Sequence, residues 1–272
     1  LYFIEQNRTL FSFQITIDGV EDIHNERKPH FKNQDSFSKI TSNVDSLVKM
    51  GISVSIRINT DPYTMERVDE LFMYFKEKGW FQYKNFKPYC ALLRKEVPIK
   101  GEGEDFSKKM FAQSEFFRTF SEKGLKEESG GVFMCQDFDV QSILNRLLLG
   151  KAVRYKSCFC GAQTGSLIFD PFGDIYSCWD VVGQREQRVG YYIPNFTLEK
   201  ELADKWFNSR ISEHKCANCK YVFFCGGGCL ANAMRLTGKL QSGKCNDFPR
   251  LFKYVIQQLY NEKIKRGIDD ED

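Results

Sequence analysis

Eight of the ten cysteines in this chain lie between Cys158 and Cys245, and their spacing is typical of metal ligands. Seven of them follow one pattern: Cys160-x12-Gly173-x4-Cys178, then Cys216-x2-Cys219-x5-Cys225-x3-Cys229, then Cys245. Thiolates are soft ligands that select zinc, copper(I) or iron–sulfur clusters. Zinc sites usually use paired C-x2-4-C knuckles, whereas tight multi-cysteine runs suit four-iron clusters. The three glycines between Cys225 and Cys229 would let the backbone turn closely past a large inorganic core.

Two alternatives to iron–sulfur ligation stay open at this point. His214 lies two residues before Cys216 and could complete a zinc site, although we expect it on the surface. Disulfides require an oxidising compartment, and the first ten residues carry no secretion signal. The cysteines are therefore expected as metal ligands in the cytoplasm, and disulfides only if a signal has been cut away.

Composition excludes several classes of function. The chain has 272 residues, of which 42% are hydrophobic and 15% aromatic, as in globular proteins. The 39 basic and 36 acidic side chains leave a net charge of +3, which argues against a broad nucleic-acid surface. No apolar run approaches the roughly 20 residues that cross a bilayer, so we expect no membrane partner.

The elements that would position these cysteines begin with an α/β pattern. Alternation and β-formers predict strands at Leu10–Ile17, Ile52–Ile58 and Trp80–Pro88, and helical periodicity predicts helices at Phe37–Met50 and Met65–Lys78. Strand–helix alternation indicates parallel βαβ units. Three strands are too few for a closed barrel, so either the sheet is open or upstream strands are missing.

The second half of the chain is predicted to be richer in short elements. A loop is expected at Lys95–Asp105, with helices at Ser107–Lys123 and Asp139–Leu149. Composition changes near Ser157, which predicts domains at 1–157 and 158–272. Within the second, Gly165–Asp170 and Asp174–Trp179 flank a Pro-Phe-Gly turn and predict a β-hairpin. Helices are expected at Cys229–Leu240 and Phe248–Lys265.

The cysteine pattern resembles the SPASM domain of radical S-adenosylmethionine enzymes, a family that includes peptide maturases and anaerobic sulfatase-maturating enzymes. The resemblance implies two auxiliary [4Fe-4S] clusters. Its outer set of ligands would be Cys216, Cys219, Cys225 and Cys245, and its inner set would be Cys160, Cys178 and Cys229. Cys158 would complete the inner set or replace Cys160, or else that cluster keeps an open site. Cys90 and Cys135 match no motif position and are expected to be packed or incidental thiols.

The first half resembles the same family. Ile15–Gly19 and the following Ile23-His24-Asn25 are similar to the family's ISxDG…IHD stretch, which lies on the fourth strand of a partial (β/α)6 barrel. The resemblance implies that S-adenosylmethionine contacts Thr16, Arg57 and Asn59, and that Arg27 or Lys28 replaces the family's arginine. Asp18 is expected to cap the turn before Gly19.

The C-x3-C-x2-C motif, which in this family binds the cluster that cleaves S-adenosylmethionine, does not occur in this sequence. The chain therefore resembles the C-terminal part of a longer protein. The intact protein would hold S-adenosylmethionine and a third [4Fe-4S] cluster, and this chain alone would be inactive.

The function implied by the resemblance is post-translational modification of a ribosomal peptide or protein, with electrons from a flavodoxin- or ferredoxin-type donor. The alternatives are an anaerobic sulfatase-maturating (formylglycine-forming) enzyme and a non-catalytic iron–sulfur or zinc-binding module. Sulfatase-maturating members carry an aspartate directly after the G-x4-C cysteine, where it can act as a base. Here Trp179 occupies that position, and Asp180 is the candidate catalytic residue. This departure favours the peptide maturase over the sulfatase-maturating enzyme.

Overall fold

The computed structural model describes residues 2–32, 35–93, 110–136, 138–213, 215–243 and 245–269, with side chains described as far as residue 261. The chain divides into two compact units, Leu1–Asp137 and Phe138–Asp272. The predicted loop at Lys95–Asp105 lies outside the described residues. Within those ranges, none of the helices combines the length and apolar character that a bilayer crossing requires.

The first unit alternates strands and helices. Its strands are β1 (Ser12–Thr16), β2 (Ser53–Thr60), β3 (Phe86–Leu92) and β4 (Met134–Cys135). Its helices are α1 (Tyr2–Gln6), α2 (Glu21–Arg27), α3 (Phe37–Lys49), α4 (Pro62–Glu66), α5 (Val68–Glu77), α6 (Gln113–Glu122) and α7 (Leu125–Glu128). The strands pair in the order β1-β2-β3-β4, and every pairing is parallel. The predicted α/β fold with parallel βαβ units is confirmed.

The two faces of this sheet differ because side chains alternate along each strand. On one face, Val54, Ile56 and Ile58 are completely buried, and α3 and α5 contribute buried Val44, Val48, Leu71 and Phe75 to the core. On the other face, Ser55, Arg57 and Asn59 of β2 are half-buried. Tyr89 of β3 reaches across that polar face and donates from its hydroxyl to Gln14 Oε1 of β1 at 2.9 Å.

An aromatic cluster closes the apolar side. Phe75 stacks on Trp80 with ring centroids 5.5 Å apart, and Phe133 meets Phe72 at 5.8 Å and Phe120 at 5.5 Å. All five rings are at most 2% exposed. These contacts join α5, α6 and the segment before β4, so the high aromatic content serves the core of this unit.

Two predicted elements differ from the structure in more than their end residues. The helix predicted at Met65–Lys78 is interrupted at Arg67, whose backbone is not helical and whose side chain pairs with Asp22 and Glu70. The strand predicted at Trp80–Pro88 is wrong in its first half: Trp80–Gln82 is a 3₁₀ turn after left-handed Gly79. Pairing with β2 begins only at Phe86.

The second unit has short elements, as predicted. Its strands are β5 (Ile168–Phe169), β6 (Asp174–Tyr176), β7 (Gly190–Tyr191) and β8 (Thr197–Leu198). They form an antiparallel sheet in that order, and β5 and β6 confirm the hairpin. The helices are α8 (Val140–Leu148), α9 (Lys200–Phe207), α10 (Val222–Cys225), α11 (Leu230–Thr237) and α12 (Phe248–Asp269).

The core of the second unit lies between the hairpin and the helices. Tyr176 and Val189 are fully buried, and Trp206 of α9 and Leu230 of α11 pack into the same cluster. The helix α8 packs against α12. The predicted domains 1–157 and 158–272 assign α8 to the first part, whereas the compact units group it with the second.

Candidate metal centre and cofactor site

Three of the predicted cofactor-binding residues lie at the carboxyl end of the parallel sheet. Thr16 of β1 is the register partner of Arg57 of β2, so the two side chains share a face, and Asn59 follows two residues on. Arg57 Nε donates to Asn59 Oδ1 at 2.9 Å, which fixes both side chains at this edge. Ligands of α/β sheets bind at the carboxyl ends of the strands, so this polar edge is a candidate site.

Arg27 and Lys28, at the end of α2, are each held by an acidic side chain. Arg27 donates to Asp61 Oδ2 at 2.6 Å and to Thr64 Oγ1 at 2.8 Å. Lys28 Nζ lies 3.4 Å from Asp18 Oδ2. Arg27 therefore ties α2 to the loop after β2, and its role toward a cofactor stays a prediction.

Asp18 and His24 form a buried polar pair beside this edge. The Asp18 backbone N–H donates to His24 Nδ1 at 3.0 Å, and both side chains are almost fully buried. Burial lowers the pKa of His24, so the ring is held neutral. Asp18 thus shapes the turn before Gly19 through its backbone N–H, while its carboxylate faces Lys28. We predicted that the Asp18 side chain caps this turn, and these contacts do not show such a cap.

Asp61 carries a prediction about stability. Its Oδ1 caps α4 by accepting from the Thr64 amide at 2.8 Å, while Oδ2 pairs with Arg27. Replacing Asp61 with alanine should lower the free energy of unfolding by about 1–2 kcal/mol, because the cap and its charge are lost together. Asp61→Asn keeps a capping oxygen and should cost less. Equal losses in urea unfolding would show that the cap contributes nothing.

The same residue should make stability depend on pH. Burial alone would raise the pKa of Asp61, but the Thr64 amide and the Arg27 guanidinium hold it below its usual value. A carboxylate whose pKa is lower in the folded state than in the unfolded state stabilises the fold at pH values above its unfolded-state pKa. This stabilisation is lost as pH falls through the folded-state pKa. The difference between the parent protein and Asp61→Ala should therefore shrink between neutral pH and about pH 3. A constant difference would contradict this.

The inner set of cysteines converges around Cys178. Burial raises the pKa of the Cys178 thiol to about 11, and the nearby thiols of Cys229 and Cys160 raise it as well. The Asp180 backbone N–H, which is directed at the Cys178 sulfur, lowers this pKa. Cys178 follows the β-hairpin, Cys229 caps α11, and Cys160 precedes the 3₁₀ turn Gly161–Gln163. The Cys229 and Cys160 thiols therefore lie near Cys178, and their binding of one shared cluster stays a prediction.

The outer set converges around Gly227. Cys216 Sγ lies 3.9 Å from the Gly227 carbonyl oxygen, to which it can donate. Burial raises the pKa of Cys225 to about 11, against a hydrogen bond from the Gly227 N–H, and the Cys245 and Cys216 thiols add to the rise. Burial also raises the pKa of Cys216, with Cys219 and Cys245 as its neighbours. The four cysteines of the predicted outer set therefore share one region.

Gly226 brings the first cysteine segment against the second. It has a left-handed backbone (φ +78°), and a Cβ there would meet the Cys158 carbonyl oxygen and come within 2.8 Å of Phe159 Cα. The Lys156 N–H donates to the Phe223 carbonyl at 2.7 Å in the same place. The backbone of Cys158 is therefore pressed against the loop of the outer set, and a role for its sulfur in the inner set stays a prediction.

The donor chemistry of both sets fits iron–sulfur clusters. Among the described residues, no three His, Cys, Asp or Glu side chains converge tightly enough to hold a single metal ion. A [4Fe-4S] cube takes one thiolate at each iron, so its ligands stand farther apart than those of one zinc ion. No disulfide joins the cysteines of the described segments. His214, the alternative zinc ligand, lies outside the described residues.

The remaining predicted residues are placed as follows. The Asp180 carboxylate faces Arg235 of α11 at 3.9 Å, while Trp179 is 78% exposed. The role of Asp180 as a base stays a prediction. Cys90 is fully buried, and the predicted packing of Cys90 is confirmed. Sequence reasoning missed Arg235 and also Gln163, whose side chain joins the Phe159 N–H to the Ser209 carbonyl. No local pattern marks either residue, because Asp180 and Ser209, which Arg235 and Gln163 respectively reach, are distant from them in sequence.

Known proteins with a similar sequence or fold were found, although no family model matches the chain. The cysteine-type anaerobic sulfatase-maturating enzyme of Clostridium novyi (strain NT) is 24% identical over 279 residues, covering 95% of this chain and 67% of that protein. The serine-type enzyme of Bacteroides thetaiotaomicron is 23% identical over 275 residues, covering 94% and 64%. The structure of native anSMEcpe with bound AdoMet and Cp18Cys peptide superimposes with a TM-score of 0.66 at 22% identity, covering 95% and 71%.

These comparisons rank the predicted functions. The homologues are anaerobic sulfatase-maturating enzymes, so they support that alternative better than the ribosomal-peptide maturase that Trp179 favours. The match runs along nearly the whole chain, which spans about two thirds of the length of these relatives. The parallel sheet is shared with their solved structures. The chain is therefore homologous to the anaerobic sulfatase-maturating enzymes, which are radical S-adenosylmethionine enzymes, and it shares the fold of their solved structures.

Proposed function

We propose that the protein carrying this chain is a radical S-adenosylmethionine enzyme that oxidises a cysteine or serine side chain of a protein substrate to an aldehyde. The observation that carries the proposal is the match along 95% of the chain to a cysteine-type sulfatase-maturating enzyme. The substrate class is taken from the cysteine-type and serine-type relatives. A flavodoxin- or ferredoxin-type protein would supply electrons.

The second unit would hold two auxiliary [4Fe-4S] clusters in a SPASM domain. Cys216, Cys219, Cys225 and Cys245 would bind one, and Cys160, Cys178 and Cys229 the other, with Cys158 as the candidate fourth ligand. When bound, such clusters accept or deliver single electrons at potentials set by burial and by hydrogen bonds to sulfur. The Asp180 and Gly227 backbone N–H groups donate to Cys178 and Cys225, so they would tune one cluster each.

The sheet edge at Thr16, Arg57 and Asn59 would bind S-adenosylmethionine. Its α-carboxylate is a suitable partner for the Arg57 guanidinium, because charge-assisted hydrogen bonds to carboxylates are the strong ones. Arg57→Gln should weaken S-adenosylmethionine binding about tenfold or more, since a hydrogen bond to a charged group contributes about 1.5–3 kcal/mol.

Lys87→Gln is the matched control for this measurement. Lys87 pairs with Ser55, so it lies on the same face of the sheet but nearer the amino ends of the strands. Lys87→Gln should leave the affinity for S-adenosylmethionine unchanged, as measured by equilibrium dialysis with the protein that carries this chain. Equal effects of the two variants would contradict the assignment of Arg57.

The test of the proposed function is an anaerobic assay of that protein with S-adenosylmethionine, dithionite and sulfatase-derived peptides. Peptides bearing cysteine or serine at the target position should yield 5′-deoxyadenosine together with an aldehyde that reacts with a hydrazide probe. A matched alanine peptide should yield no aldehyde. Failure of both the cysteine and the serine peptides to give aldehyde, with iron and S-adenosylmethionine bound, would overturn the proposal.

A second candidate, modification of a ribosomal peptide without aldehyde formation, is favoured by Trp179. This exposed indole stands where sulfatase-maturating relatives carry aspartate after the G-x4-C cysteine. In the same assay, this candidate predicts a mass change on a peptide other than the sulfatase-derived ones, with no hydrazide product. If the side chain at position 179 determines the reaction, Trp179→Asp should introduce or increase aldehyde formation.

A further inference from the structure

Arg235 makes two contacts with Asp180 in the second unit. Its Nη2 donates to the Asp180 backbone carbonyl oxygen, and its Nη1 lies 3.9 Å from Asp180 Oδ2. The arginine side chain is only 19% exposed. This guanidinium is mostly shielded from solvent and contacts both the backbone and the side chain of one residue. It therefore restricts the backbone of that residue.

Asp180 in turn contacts the inner set directly. It lies in the 3₁₀ turn Trp179–Val181, whose N-cap is Cys178 and whose Val181 N–H donates to the Cys178 carbonyl oxygen at 3.3 Å. The Asp180 backbone N–H is directed at the Cys178 sulfur. A hydrogen bond of this kind depends on the orientation of the peptide plane. Because Arg235 contacts the carbonyl of Asp180, it restricts the turn that positions the Asp180 N–H.

The helix that carries Arg235 starts at another inner cysteine. Cys229 is the N-cap of α11, and Arg235 lies in the last turn of that helix. Through Arg235, the segment after Cys178 is joined to the helix after Cys229, although the two segments are distant in sequence. Gln184 Nε2, from the same segment as Asp180, also reaches the Asp180 carbonyl oxygen, at 3.4 Å.

We propose that Arg235 is a positioning residue for the inner cluster: it fixes the Cys178–Asp180 turn relative to α11, and so keeps the Asp180 N–H on the Cys178 sulfur. This inference rests on the proposed function in so far as it requires a cluster on the inner set. A hydrogen bond to a ligand sulfur stabilises the more negative, reduced state, so its loss lowers the reduction potential.

The test is a redox titration, followed by electron paramagnetic resonance, of the anaerobically loaded protein that carries this chain. Arg235→Gln should shift one of the auxiliary-cluster transitions to lower potential and leave the other in place. Arg235→Lys keeps the charge but loses the planar two-point contact, so it should shift the same transition in the same direction. Arg250→Gln is the control, because Arg250 of α12 is exposed and pairs with Asp247, the residue before that helix.

A double variant separates positioning from charge. Asp180→Asn with Arg235→Gln removes one charge of each sign, so an effect of charge alone should cancel and restore the parent potential. Positioning predicts that the lowered potential persists, because the contact to the Asp180 carbonyl is still missing. Restoration of the parent potential in the double variant, or an Arg235→Gln protein that behaves like the Arg250→Gln control, would overturn the inference.

Iron content distinguishes this inference from the proposed function. A parent protein without iron would overturn the two-cluster proposal and the inference together. Loaded parent and variant proteins with equal iron and unshifted transitions would overturn the inference alone. If Arg235→Gln fails to fold, Arg235→Lys still gives the comparison with the parent protein, and circular dichroism identifies which variants are folded.

Discussion

Replacing Cys225 with serine should remove about half of the iron that the auxiliary sites of this chain bind, because one of two four-iron clusters is lost. Serine offers a harder and less acidic oxygen in place of a soft thiolate. Cys178→Ser should also remove about half, but from the other set, so the two variants should leave different electron paramagnetic resonance spectra. Both changes together should remove nearly all of the auxiliary iron.

The control for these variants is Cys135→Ser. Cys135 lies in β4 of the first unit and belongs to neither set, so iron content should match the parent. Iron and sulfide determination after anaerobic reconstitution checks all four proteins. Loss of all iron from either single variant would show that the cysteines form one shared site. Full iron in Cys225→Ser would exclude Cys225 as a ligand.

Replacing Gly226 with alanine should destabilise the second unit far more than the same change at Gly238. Both glycines have left-handed backbones, with φ of +78° and +72°. Alanine at such a position costs about 1 kcal/mol from backbone conformation alone. A Cβ at Gly238 meets nothing within 4 Å, whereas at Gly226 it would lie 2.7 Å from the Cys158 carbonyl carbon.

The additional loss of stability at Gly226 arises because the atoms around it belong to the backbone and cannot rotate away as a side chain can. Overpacking in such places typically costs a further 1–3 kcal/mol or so. Thermal unfolding of the two variants gives the comparison, and iron retention in Gly226→Ala should also fall, since the Cys158–Cys160 segment must move. Equal melting temperatures for Gly226→Ala and Gly238→Ala would contradict the close approach.

Local patterns were sufficient to predict the strands and helices that follow one clear period. The β-branched alternation of β2 and the Pro-Gly turn between β5 and β6 specify their structure locally, and both predictions are confirmed. The first half of the predicted Trp80–Pro88 strand was wrong because left-handed Gly79 and the bond from Trp80 Nε1 to Asp45 favour a turn. That bond joins residues on different elements, so sequence alone does not reveal it.

The candidate sites divide in the same way. The resemblance to the SPASM domain assigns the two sets of thiols, because Cys160, Cys178 and Cys229 lie too far apart in sequence for spacing alone to group them. Arg27 and Lys28 illustrate what spacing omits: each is paired with an aspartate, and one of those, Asp61, follows a different strand. The contact of Arg235 with Asp180 depends on how α11 packs, which has no signature in either segment.

We propose that this chain binds two auxiliary [4Fe-4S] clusters through two separate sets of cysteines. Iron, zinc and acid-labile sulfide measured on the anaerobically reconstituted chain test this proposal. We expect about eight iron and about eight sulfide per chain, with no zinc. One or two zinc per chain without sulfide, or cysteines that do not react as thiols after unfolding without reductant, would contradict it.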